Sequence, residues 1–109
     1  LEAGERAARP GVPGRDVFAA LFQPIDEAGF GGGIRFHGGH AIGLEHVERP
    51  SIIPAEDMPL EAGMVITLEP GAYVPGIGGA RVEDQYLVTD RGVEVLSHYP
   101  RDLARCPLT

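Results

Sequence analysis

The sequence predicts an α+β fold, an antiparallel sheet covered by one or two helices, and three patterns carry that prediction. Val17, Phe18, Leu21 and Phe22 fall at i, i+1, i+4 and i+5, the spacing of one apolar helix face. Met64, Ile66 and Leu68 alternate with Val65, Thr67 and Glu69, and Ala80, Val82 and Asp84 alternate with Arg81, Glu83 and Gln85, the period of strands. Residues 87–89, a turn at Asp90, Arg91 and Gly92, and residues 93–96 read as a hairpin. At 109 residues the chain is one domain at most. A domain of that size buries about 60–65% of its unfolded surface, so the core is modest.

In order along the chain, residues 1–8 look like the last turns of a helix, ended by the prolines and glycines of residues 9–14. The chain starts at Leu1 inside that helical pattern, so a processed, truncated or partial product is expected. A second helix should start at Gly14 or Arg15, with Ile25 and Ala28 extending its apolar face and a kink or break at Pro24. Residues 29–33 lack the GxGxxG spacing and the following lysine of phosphate loops and read as a flexible connection. Residues 34–36 read as a short strand entering a glycine-rich turn at His40. Residues 47–63 read as loop, because Pro50, Pro54 and Pro59 withhold amides, with Ile52 and Ile53 packing on the sheet. Residues 70–76 should bend the chain sharply.

Composition narrows the function classes. A net charge of −7, with no Lys/Arg cluster to displace phosphate counterions, excludes a nucleic-acid partner. Cys106 has no second cysteine to pair with, which fits a reducing compartment, and no catalytic pattern surrounds it. No run approaches the roughly 18 apolar residues that span a bilayer, so the expectation is a cytoplasmic protein without a membrane partner.

Three side chains point to metal chemistry. His40 offers an imidazole among small residues, although a histidine among glycines is more often a turn residue. Glu69 directly follows the apolar run MVITL. Either it is buried, at a cost of several kcal/mol unless something positive meets it, or it ends the strand at the surface. Glu83 shares a face with Arg81 and is either a ligand steadied by that arginine or half of a surface ion pair contributing about 0–1 kcal/mol.

Four stretches, HAIGLE (residues 40–45), LEAGMVITLEPGAY (60–73), GGARVED (78–84) and LVTDRG (87–92), resemble in order those of the pita-bread metallopeptidases. That superfamily holds the Xaa-Pro aminopeptidases and dipeptidases, methionine aminopeptidase and creatinase. Residues 96–103 resemble its C-terminal ending. The likeness implies that the whole chain, 1–109, is the C-terminal portion of such a catalytic domain.

It also implies two divalent ions, Mn, Co, Zn or Fe, held by two aspartates, one histidine and two glutamates. Carried over, the metal ligands are His40, Glu69 and bridging Glu83, with Arg81 behind them and both aspartates upstream of Leu1. Glu69 would double as proton carrier, and His37 or His46 would donate to the oxyanion or the departing nitrogen. Two departures stand out. Val47 occupies the position seven residues after the ligand histidine where the family has another histidine, and His37 precedes His40 by three residues where four is usual. The implied activity is hydrolysis of an Xaa-Pro peptide or a small amide, incomplete without the upstream half, with a homodimer as a possible assembly. A creatinase-like hydrolase or lyase and a non-catalytic binding module are the alternatives.

Overall fold

The computed structural model describes residues 1–32 and 36–102. Two helices come first, α1 (Glu2–Ala7) and α2 (Gly14–Glu27). Seven strands follow: β1 (Gly39–Ile42), β2 (Glu48–Ile52), β3 (Val65–Leu68), β4 (Gly71–Val74), β5 (Gly78–Arg81), β6 (Asp84–Val88) and β7 (Val93–Val95). Five of them form an antiparallel sheet in the order β2-β1-β3-β6-β7, while β4 and β5 make a separate ribbon. The predicted α+β architecture is therefore present. Cys106, residues 34 and 35 of the expected first strand, and the end of the 96–103 stretch lie outside the described residues, and Phe36 belongs to no strand.

The core forms where α2 meets the sheet. Val17, Leu21 and Phe22 are buried with Ile52, Ile66, Leu68, Tyr86 and Val88, as the helical and alternating patterns require. Each such side chain contributes about 1.5–3 kcal/mol on full burial. Ile52 is fully buried and Ile53 half-buried.

Three expectations change. α2 runs unbroken through Pro24, which is exposed and near the helix end, so the Ala20 carbonyl that loses an amide partner one turn back stays within reach of water. Residues 48–52 form strand β2 in spite of Pro50. That strand is a sheet edge, and its register with β1 jumps from His40 opposite Ser51 to Ala41 opposite Glu48. Arg49 and Pro50 thus fall in a bulge where no ladder amide is needed.

The third change concerns the expected continuous strand through residues 80–85, which is broken at Val82 and Glu83. The matching bend on the partner strand is confined to Glu69 and Pro70, after which the chain extends again as β4. Before the break Leu68 pairs with Asp84; after it Gly71 pairs with Arg81. The two sides keep one register, so β3–β4 and β5–β6 are a single long hairpin with a joint. Interpolation across the joint sets Glu69 opposite Glu83 and Pro70 opposite Val82, and the Val82 amide donates to the Pro70 carbonyl at 3.4 Å.

Candidate metal centre

His40 lies on β1, not in a turn, and is buried. Gly39 makes that placement possible: its φ is +148°, and a Cβ there would sit 2.0 Å from the Thr67 carbonyl oxygen. With β1 this close to β3, the His40 amide donates to Thr67 Oγ1 at 3.1 Å, and the Glu69 amide donates to the Gly38 carbonyl at 2.8 Å.

The His40 ring is fixed at both nitrogens. Nδ1 is 2.9 Å from the Ala41 carbonyl oxygen, which can only accept, so Nδ1 carries the proton. In the neutral ring Nε2 then presents a lone pair, and it faces Glu69 Oε1 at 3.4 Å. Metal-binding histidines commonly donate their second nitrogen to a backbone carbonyl in this way. Two electron-rich atoms aimed at one another suit a shared cation or proton, and in this respect the donor chemistry of His40 and Glu69 fits a divalent ion.

Glu69 is 4% exposed, which resolves its alternatives in favour of burial at the joint. Thr67 Oγ1 lies 3.1 Å from its Oε1, as expected for residues sharing a strand face, and 3.4 Å from the His40 carbonyl. The single hydroxyl proton favours the closer, charged acceptor. Arg81 Nη1 lies 3.5 Å from Glu69 Oε2, and the half-exposed His37 places Nδ1 3.5 Å from Oε1. Arg81 already supplies the positive charge that a buried carboxylate requires. The burial of Glu69 is therefore no argument for a cation, whereas the approach of His40 Nε2 to its carboxylate is the feature that fits one.

The predicted residues gather unequally. His46 is exposed, yet its ring stands 5.3 Å from that of His40, and the His37 ring stands 5.8 Å away on centroids. Arg81 turns to Glu69 and not to Glu83. Glu83 is exposed and has no hydrogen bond or ion pair with a described residue, although its backbone occupies the rung opposite Glu69. Among the described residues, no group of three or more His, Cys, Asp or Glu side chains is arranged to hold a metal ion.

Sequence reasoning missed Thr67, which an alternation pattern registers only as a face. It also missed a buried network around Asp84, whose carboxylate accepts from Ser97 Oγ at 2.6 Å and Arg101 Nε at 2.6 Å. Arg101 Nη2 also reaches Glu5 at 2.8 Å, and the Tyr86 hydroxyl donates to Glu5 at 2.7 Å. This network ties α1 to β6 and to the last described residues. No short-range signal could reveal it, because its members are spread over most of the chain.

Comparison with known proteins places this geometry. The profile described as metallopeptidase family M24 matches residues 1–90. An uncharacterized peptidase of Staphylococcus aureus is 44% identical over 96 residues, 88% of this chain and 27% of that protein. Among solved structures, the Xaa-Pro dipeptidase from Bacillus anthracis superposes with a TM-score of 0.89 at 41% identity, over 94% of this chain and 29% of that one. Prolidase from Pyrococcus furiosus superposes with a TM-score of 0.87 at 37% identity, over 92% of this chain and 30% of that one. The chain thus spans less than a third of the length of each of these relatives, and within that span it has their pita-bread architecture. With a family match over most of its length and a shared fold, the chain belongs to metallopeptidase family M24.

Proposed function

We propose that this chain contributes His40, Glu69 and Glu83 to a two-metal centre that hydrolyses Xaa-Pro peptides. The 109 residues hold only part of that centre, and the remaining ligands are two aspartates of an upstream segment. The observation that carries the reading is the placement of the His40 ring: Nδ1 lies 2.9 Å from the Ala41 carbonyl oxygen, and Nε2 faces Glu69 Oε1 at 3.4 Å. The likeness to an Xaa-Pro dipeptidase and a prolidase supports the substrate class.

Bound divalent ions supply Lewis-acid polarisation of water and of the peptide carbonyl. The chain's own side chains do the rest. Ala41 and Thr67 hold His40 and Glu69 in position, and Arg81 keeps Glu69 Oε2 turned away from Oε1's partners. Glu69 Oε1, facing both His37 and His40, carries a proton toward the departing nitrogen. His37 or His46, both exposed, donates to the developing oxyanion or to the departing nitrogen. A divalent ion, Mn, Co, Zn or Fe, is the expected metal, and the cytoplasm, where a lone cysteine stays reduced, is the expected location. No helix among the described residues is long and apolar enough to cross a membrane.

Calorimetry with Mn²⁺, Co²⁺ and Zn²⁺ tests the centre. The 109-residue chain should bind one ion weakly, and H40A and E69Q should each abolish binding. Binding that survives both substitutions, or no binding at all, refutes the reading. The chain alone should hydrolyse Ala-Pro negligibly, and adding an aspartate-bearing upstream segment from a relative should restore turnover. A full rate without that segment would refute the incompleteness of the site.

A further inference from the structure

The two glutamates at the joint are held in different ways. Glu69 has bonds of its own, to Thr67 Oγ1 and Arg81. Glu83 is exposed and has no hydrogen bond or ion pair with a described residue, so its aim depends on the backbone on either side of it. Upstream that hold is weak: the Val82 amide reaches the Pro70 carbonyl only at 3.4 Å, beyond the usual range of about 2.7–3.2 Å.

Downstream the hold is strong. Asp84 pairs with Leu68, is 3% exposed, and accepts from Ser97 Oγ and Arg101 Nε, both at 2.6 Å. Bonds to an ionised carboxylate are short and about twice as strong as neutral ones. Ser97 Oγ also accepts from the Gln85 amide at 2.9 Å, while Arg101 Nη2 is braced by Glu5 at 2.8 Å and the Tyr86 hydroxyl at 3.2 Å. Two side chains from beyond β7 thus grip the two residues that follow Glu83. Asp84, Tyr86 and Val88 are the buried positions of β6, with Leu68 and Ile66 opposite the first two, so the grip lies on the core side of the sheet. It shares no bond with His40 or Glu69, and whatever it does for the centre passes through the backbone at Glu83.

We propose that Ser97 and Arg101 are positioning residues of the metal centre: by gripping Asp84 they hold Glu83 on the rung opposite Glu69, ready to share a divalent ion. The inference rests on the two-metal reading above. A ligand whose backbone is already fixed loses less conformational freedom when the ion binds, and the ion is bound more tightly for it.

The test titrates the full 109-residue chain with Zn²⁺, binding being read from backbone amide shifts, which also report whether each variant is folded. S97A and R101Q should each weaken Zn²⁺ about tenfold, and S97T, which keeps the hydroxyl, should restore it to within about twofold. E83Q should itself weaken Zn²⁺, and adding S97A or R101Q to E83Q should then cost less than about twofold, because the residue they position no longer binds. A general loosening of the fold would instead cost the same with and without Glu83. Arg101 ends the described chain and is partly exposed, so R101Q keeps the test valid should S97A fail to fold. Equal losses in the parent and E83Q backgrounds, or no loss in either variant, overturn the positioning role while leaving the metal centre standing. An E83Q variant that binds Zn²⁺ like the parent removes Glu83 from the centre and the positioning role with it. Failure of the unsubstituted chain to bind Zn²⁺ overturns the two-metal reading itself.

Discussion

Replacing Glu56 with glutamine should weaken the fold by about 2 kcal/mol, and the geometry of its carboxylate gives the figure. Glu56 follows β2 and is 4% exposed. Its Oε1 accepts from Arg49 Nη2 at 2.6 Å and from the Met58 amide at 3.1 Å. Its Oε2 accepts from Arg49 Nε at 3.1 Å and from the Ser51 amide at 3.1 Å. In E56Q, whichever way the amide is turned, its NH2 faces two donors and two of the four bonds are lost. The Arg49 side chain is 71% exposed and can recover a bond from water, whereas the stranded backbone amide cannot do so readily. An unsatisfied buried donor costs about 1–3 kcal/mol.

The pH dependence gives an independent measure of the same interaction. Hydrogen bonding from Arg49, then from the Met58 and Ser51 amides, lowers the Glu56 carboxyl from 4.5 to about 2. At 1.36 kcal/mol per unit the shift corresponds to about 3 kcal/mol, reduced to about 2 because solvent screens the exposed Arg49. A lowered carboxyl pKa means that this stability is fully present above pH 4.5 and is lost as pH falls toward 2. Urea unfolding from pH 6 down to pH 2.5 should show that loss in the parent chain and a flatter profile in E56Q. An E56Q variant within 0.5 kcal/mol of the parent at pH 6, or with the same acid slope, refutes the reasoning (the threshold being about the usual size of surface effects).

Three further outcomes follow from the same geometry. T67V keeps the shape but removes the hydroxyl shared by His40 and Glu69, and should cost about 1–2 kcal/mol and about tenfold or more in metal affinity, while T67S restores both; equal calorimetric affinities in the two variants would contradict this. Burial, then the bond to Glu5, pushes the Tyr86 hydroxyl well above its ordinary 10. Ultraviolet titration should show one tyrosine still protonated well past pH 10, and stability, complete below pH 10, should fall as pH rises beyond it. P24A should stabilise the chain by about 2 kcal/mol in thermal unfolding, because Pro24 is exposed inside α2 and alanine there restores an amide donor at a small unfolded-state cost.

Much of the fold was legible because it depends on periodicity. The α2 face, β3, and the β6–β7 hairpin all follow from spacings of apolar residues. The proline rule failed at Pro24 and Pro50 for one shared reason: what matters is whether the missing amide had a partner to serve, and that depends on position in the tertiary fold. At Pro24 the deprived carbonyl can turn to water, and at Pro50 an edge bulge removes the need. Neither circumstance is written in the local sequence.

The joint between the two sheets was illegible for a different reason. Because β3–β4 and β5–β6 keep one register on either side, the alternation through residues 80–85 retains its parity across the break and looks like one strand. That same continuity is what brings Glu69 and Glu83 opposite each other from positions fourteen residues apart. A bend that shifted the register by one would have turned one of the two carboxylates to the other face. Preserved parity, which hid the joint from the pattern, is therefore the feature that lets a hairpin carry two acidic side chains at its bend. Glu69 is committed there to Thr67 and Arg81, and Glu83 remains available to a ligand from outside the described residues.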